Sequence, residues 1–329
     1  MKKTICLGLE SSAHTFGCAI VDDNCNILAD ERKSFTTTEG GMKPSDVADH
    51  HHEHAVLIVK KALESANLKM NDIDVVAFSQ GPGLGPCLRV SAIIARTLAL
   101  AHKKPLVGVN HAVGHIELGK KLTGAKDPLV VYVSGGNSQI LVLEKGRYRV
   151  LGETLDTGVG NLFDSFGRKL GMGFPAGPKI DEMYFLGKKY IDLPYSVKGM
   201  DLQFSGLLTA AEKKIGSCDK NDLAFSLMHT ANAMLAEVAE RALAFTGKKE
   251  VLLTGGVACS KSLQKVFGEM CEEQGARLCV CPCRHAIDNG VQIAWTGMLQ
   301  FLAGEKTEIR NSGIIQKYRS DSVKVSWAK

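Results

Sequence analysis

One pattern of apolar runs, used twice, constrains the fold more than any other feature. Runs at 4–9, 17–21 and 26–29, separated by Ser, Gly, Asp and Asn, predict a meander of short antiparallel strands. A stretch of helical period follows from about 46 to 68, with Val47, Ala55, Ile58, Val59 and Leu63 on one stripe. A strand at 73–79, a helix at 90–102 and a strand at 105–109 complete the first half. The second half repeats this grammar with strands at 129–136, 139–144 and 148–153 and a long helix at 221–246. A strand at 250–256, a helix at 260–274, a strand at 277–282 and a closing amphipathic helix from 288 to about 302 then follow. No Pro- or Ser-rich linker separates the halves. The expectation is two α/β lobes facing across a cleft, 1–124 and 125–329. The second carries a helical insertion, and the last helix (288–303) is a candidate to pack back on the first lobe.

A chain of 329 residues is comfortable for two domains. Lys and Arg exceed Asp and Glu by 40 − 35 = 5, a balance that permits a nucleic-acid partner without arguing for one. Ten cysteines fit no disulfide framework in a chain this long. The start Met1-Lys2-Lys3 runs straight into a strand with no signal peptide, and no apolar run approaches the ~18 residues of a membrane span. A reducing cytoplasm and no membrane contact are therefore expected. Cys279, Cys281 and Cys283 form a C-x-C-x-C run, but zinc ribbons need paired C-x-x-C units, so small buried residues at a strand end are expected there.

Chemistry concentrates in a few turns. Ser134-Gly135-Gly136-Asn137 lies between strands and Gly255-Gly256-Val257 between a strand and a helix, where bare backbone can approach an anion or a base. Glu10, Ser11 and Ser12 occupy the first hairpin turn, positioned to face phosphates. No G-x-x-x-x-G-K-[ST] exists, which excludes a P-loop. His111 and His115 share one face of a predicted helix start and can share a metal, or be two cap histidines. Ala112 stands where a zincin protease needs glutamate. His50, His51, His52 and His54, with Glu53, sit on the polar side of a long helix, as solvated or supporting groups. Asp288 is an expected N-cap of the last helix. Among Asp156, Asp164 and Asp181 in Gly-rich stretches, the residues alone do not choose.

The stretches ADHHHEH (48–54), AFSQGPGLGPCLRV (77–90), GVNHAVGHIE (108–117), VYVSGGN (131–137), KGMDLQFSGLLTAA (198–211), LLTGGVA (252–258) and IDNGVQIAW (287–295) together resemble the universal tRNA N6-adenosine threonylcarbamoyltransferases over nearly the whole chain. Their wording is similar to the archaeal and eukaryotic catalytic subunit of the KEOPS complex. The resemblance implies the actin/Hsp70 (ASKHA) superfold, with an actin-like lobe in each half and a nucleotide cleft between them. It implies transfer of threonylcarbamoyl from its adenylate to N6 of the adenosine 3′ of the anticodon. It also implies one divalent metal, iron or zinc, on His111, His115 and Asp288, with Tyr132 as a further ligand. The nucleotide (ATP, ADP or threonylcarbamoyl-AMP, with Mg as a candidate companion) would meet Tyr132, Val133, Ser134, Gly135, Gly136, Asp164, Gly177, Asp181, Gly255, Gly256 and Ser260. Glu10, Ser11, Ser12, Asn137, His50, His51 and His54 would face phosphates or support the ligands. Implied partners are tRNA, a small dimerising subunit, a small kinase or ATPase (fused C-terminally in some archaea) and an accessory subunit. Ser260 stands where relatives carry asparagine, and Asp181 where glutamate is common. The alternatives are a small-molecule kinase or ATPase of the same superfold and an ATP-regulated scaffold.

Overall fold

The computed structural model describes residues 3–328. The first half is β1 (Ile5–Glu10), β2 (Thr15–Asp22), β3 (Ile27–Ser34), α1 (Pro44–Ser65), β4 (Val75–Gly81), α2 (Gly85–Ala101), β5 (Leu106–Asn110) and α3 (His111–Thr123). The second begins with β6 (Leu129–Val133), β7 (Ser138–Glu144) and β8 (Arg147–Glu153). An insertion follows: α4 (Val159–Lys169), α5 (Gly177–Tyr184), the short pair β9 (Val197–Lys198) and β10 (Asp201–Leu202), α6 (Ser205–Lys213) and α7 (Lys220–Thr246). It closes with β11 (Glu250–Thr254), α8 (Lys261–Glu273), β12 (Arg277–Val280), α9 (Cys283–Ala286) and α10 (Gly290–Leu302).

The two main sheets have one topology. Strand order is β3-β2-β1-β4-β5 in the first and β12-β11-β6-β7-β8 in the second. In each, three strands meander antiparallel and two more add in parallel to the first strand of the meander.

Local expectations shift at three places. β3 runs on through Glu31, Arg32 and Lys33, because an edge strand accepts charged side chains that an apolar criterion rejects. α2 begins at Gly85 rather than near 90, with Pro86 in its first turn, where a missing N–H costs nothing. The last helix is capped by Asn289, not Asp288: Asn289 Oδ1 accepts from Gln292 N at 3.0 Å. Asp288 is thereby left outside the helix.

Two helices change sides. α3 leaves the first sheet and packs Ala112, Val113 and Ile116 against Val130, Tyr132 and Leu252 of the second. α10 leaves the second sheet and packs Val291, Ile293, Ala294 and Met298 against Cys6, Ala19, Val75 and Ala77 of the first. The α10 contact is backbone on backbone, since a Cβ added at Gly8 would lie 2.2 Å from Ala294 N. The residues after α10 run over both sheets, with Ile315 N donating to Gln80 O (2.8 Å) and Val325 N to Gly146 O (2.8 Å). The glycine loop at 81–86 cradles this tail: Gly81 has φ +151° and its missing Cβ would meet Ile315 O at 1.9 Å. Among the described residues no helix is long and apolar enough to cross a membrane.

Candidate metal centre and adjoining nucleotide-type turns

β5 delivers the chain to Asn110, whose Oδ1 accepts from Val113 N (3.1 Å) and starts α3 at His111. One helical turn places His115 beside it, the rings perpendicular with centroids 4.7 Å apart. Asp288 arrives from the other half, on the turn between α9 and α10. Its Oδ1 lies 3.4 Å from His111 Nε2 and 3.2 Å from His115 Nε2. These are the donors among the described residues that could hold one ion, all within 4.8 Å of one another.

The surroundings fix the chemistry of the donors. Glu10, wholly buried at the end of β1, accepts from His111 Nδ1 at 2.8 Å, and Gln292 Nε2 and Ser12 Oγ approach the same nitrogen at 3.1 Å. With its Nδ1 proton held by Glu10, His111 turns Nε2 towards Asp288 Oδ1. Burial opposes charge on His111, but Glu10, then Tyr132 and Asp288, outweigh it and hold the imidazole pKa well above the ordinary value. Burial likewise opposes charge on Asp288, and His111 holds its carboxyl well below the usual range. Burial lowers His115, leaving a neutral ring whose Nδ1 is buried without a hydrogen-bond partner. Two histidines and a carboxylate gathered in one buried cluster, with His115 Nδ1 left without a partner beside them, fit a divalent metal.

The other predicted residues fall into separate groups. Tyr132 is buried against His115, with ring centroids 5.5 Å apart, and burial raises its pKa. Val133 is fully buried at the end of β6. The 134–137 turn is closed by Ser134 N to Asn137 O (2.8 Å), leaving Gly135 and Gly136 exposed. The 255–256 turn lies beside it at the end of parallel β11; Gly255 has φ +92° and its missing Cβ would sit 2.3 Å from Val133 O. Both turns thus stand at the carboxyl ends of neighbouring parallel strands, the usual place for ligands in such sheets.

Asp164 Oδ1 accepts from the amides of Ala176 (2.8 Å) and Gly177 (3.2 Å), and burial raises its pKa. Asp181 accepts from Ser260 Oγ (2.7 Å), Lys261 N (2.8 Å) and Ser262 N (3.1 Å), which caps α8. Ser260 Oγ also accepts from Leu263 N at 3.2 Å, so a short hydroxyl here serves the helix start. Asp156, the third undecided acid, caps α6 through Phe204 N and Ser205 N.

Ser11 Oγ is buried against Cys87 O and Ser91 Oγ. Ser12 N donates to Glu10 Oε1, which ties this turn to the His111 side of the cluster. His50, His51 and His54 form a file on α1, with centroids of 50 and 54 at 4.5 Å. Among them His51 Nε2 donates to Ala13 O at 2.8 Å and so braces the same turn; burial lowers its pKa to about 4. Gln292 and Asn289 were not singled out from the sequence. The signal was present, since each follows Asp288 within one helical turn.

The cysteine expectation is corrected. Cys259 and Cys283 are joined in a disulfide, while Cys279 and Cys281 are buried free thiols. Parallel β11 and β12 bring the two following turns together, a proximity that a 24-residue separation hides.

The family model for TsaD, tRNA N6-adenosine threonylcarbamoyltransferase, matches residues 26–295. A tRNA N6-adenosine threonylcarbamoyltransferase of Thermococcus kodakarensis is 50% identical over 325 residues, covering 98% of this chain and 99% of that protein. A probable bifunctional tRNA threonylcarbamoyladenosine biosynthesis protein of Methanosarcina mazei is 48% identical over 332 residues, covering all of this chain but 60% of that one. Among solved structures, HypF of T. kodakarensis superposes with TM-score 0.65 at 14% identity, over 92% of this chain and 48% of that one, a likeness of fold alone. The fold is the two-lobed actin/Hsp70 type, and the chain belongs to the tRNA N6-adenosine threonylcarbamoyltransferase family.

Proposed function

We propose that the chain transfers threonylcarbamoyl from threonylcarbamoyl-AMP to N6 of the adenosine 3′ of the anticodon, in tRNAs reading codons that begin with A, as the catalytic subunit of a KEOPS complex. The observation that carries this reading is the meeting of His111, His115 and Asp288 from opposite halves of a family member. Iron or zinc fits this donor set, and when bound supplies Lewis-acid polarisation of a carbonyl. Glu10 keeps the Nδ1 proton of His111 and aims Nε2 at the ligand side; Gln292 and Ser12 hold that arrangement.

The donor lies along the neighbouring turns, with Gly135 and Gly136 exposed to its acyl phosphate and Gly255 and Gly256 beside its adenine. Asp164, Gly177 and Asp181 contact it. Tyr132, beside His115, would be a further ligand. The acceptor N6 amine forms the new N–C bond as the C–O bond to AMP breaks. Holding the two reactants together matters because that lone pair is delocalised into the base.

With a formal charge of only +5, the chain alone binds tRNA weakly, and a small dimerising subunit, a kinase or ATPase subunit and an accessory subunit supply further cationic surface. The cytoplasm is its place of action. The test is label transfer from threonine and bicarbonate to tRNA with ATP, the adenylate-forming enzyme, partners and metal present. Transfer that depends on this chain supports the reading, and none with all components supplied overturns it.

A further inference from the structure

We propose that Cys259 and Cys283 are a reversible thiol–disulfide site that clasps the turn after β11 to the turn carrying Asp288. The two Cα atoms are 5.1 Å apart, within the reach of a disulfide. Cys283 is exposed and Cys259 partly so, whereas seven of the eight free cysteines are buried and Cys218 is half-buried. Burial also pushes Cys281, the nearest thiol in sequence, up to about 11, which removes it as a competitor for exchange.

What the bond joins gives it consequence. Cys259 adjoins Ser260, which with Asp181 caps α8. Cys283 opens α9, and the carbonyls of His285 and Ile287 in this segment accept from Asn289 Nδ2 at 3.0 and 2.7 Å. Asn289 is the cap of α10 and the neighbour of Asp288. The clasp therefore restrains the Asp288 turn from the side of the 255–260 turn.

The chemistry balances by exchange with a small-molecule or protein disulfide. One cysteine thiolate attacks that disulfide, forming a mixed disulfide and releasing one thiol. The second thiolate displaces the remaining thiol and closes Cys259–Cys283. In sum the two cysteines lose two protons and two electrons, and the partner disulfide becomes two thiols.

The clasp itself does not depend on the metal; only its effect on metal retention rests on the function proposed above. The purified chain, kept from reductant, is alkylated in denaturant, digested and mapped by mass spectrometry. The expected map has one linked pair, Cys259–Cys283, and eight alkylated cysteines. After dithiothreitol, alkylation of the folded chain should reach Cys259, Cys283 and Cys218 and spare the buried seven. Amide exchange at 256–260 and 283–289 should quicken about tenfold on reduction. The doubly substituted Cys259→Ser, Cys283→Ser chain should show that faster exchange with no response to reductant. Zinc release, measured with a chromogenic chelator, should quicken in parallel. Ten alkylated cysteines without reductant, a linkage through Cys279 or Cys281, or exchange indifferent to reductant would overturn the clasp. A clasp that forms and responds in a chain taking up no zinc in either state keeps this proposal and counts against the metal reading.

Discussion

α3 and α10 hold equivalent places in the two halves and are anchored in different ways. Each begins at an asparagine cap, Asn110 or Asn289, and each has a site residue next to that cap, His111 inside the helix or Asp288 outside it. Each crosses to the other half's sheet, and both are buried along most of their length. α10, however, lies with its backbone pressed on β1 and β2: missing Cβ atoms at Gly8 and Gly290 would sit 2.2 Å and 2.4 Å from backbone nitrogens. α3 keeps side-chain distance, with Gly119 facing Leu252 Cδ2 at 3.3 Å. A backbone cannot yield as a side-chain methyl can. The difference teaches that Asp288 is held by a rigid mount and the histidines by a more forgiving one.

The largest test breaks that mount. Gly8→Ala should destabilise by roughly 3 kcal/mol and lower the melting temperature accordingly, because Ala294 N has nowhere to go. Gly119→Ala should stay within about 1 kcal/mol, its tight contact offset by alanine's better helix propensity. Equal effects in thermal denaturation would erase the distinction. Next come the ligands. His115→Ala and Asp288→Asn should each weaken zinc binding at least about tenfold with the fold retained, read by elemental analysis after dialysis. Loss in one variant and not the other would show that the two helices do not share one ion.

The caps give a smaller contrast. Asn289→Ala forfeits bonds to Gln292 N, His285 O and Ile287 O in a fully buried setting, and should cost about 2 kcal/mol. Asn110→Ala loses Val113 N and Tyr318 O and should cost about 1 kcal/mol. Denaturant titration that ranks them the other way would place the firmer anchor on α3. The smallest effect lies where the helices touch at the surface. Lys121 Nζ sits 5.2 Å from the ring centre of Trp295, and Lys121→Ala should cost about 0.5 kcal/mol, within reach of a careful melting series.

Much of this was legible in the residues. Apolar alternation and helical period located the strands and the longer helices, because those periods follow from backbone geometry. The charged run in β3 and the Gly-Pro start of α2 misled locally, since an edge strand and a first helical turn tolerate residues that interiors exclude. The Asp-Asn choice at 288–289 turned on one peptide unit, and both residues are good caps. Asp181 and Ser260 looked like ligands of a nucleotide; in the fold they first satisfy the open amides of α8.

By itself the sequence determined the doubled meander and the histidine pair on one helical face, and its motifs pointed to the family. Those are local properties, written in spacings of two and of three to four residues. That Asp288 joins the histidines was implied by those motifs and is met in the fold; only the tertiary structure decided that α3 and α10 exchange sheets, that Glu10 holds His111 and that Cys259 meets Cys283. An amphipathic stripe states that a helix must be covered but not by which sheet. Contacts between residues some 24 to 280 positions apart are set by that choice of cover, and the chain makes it only as the two halves close on each other.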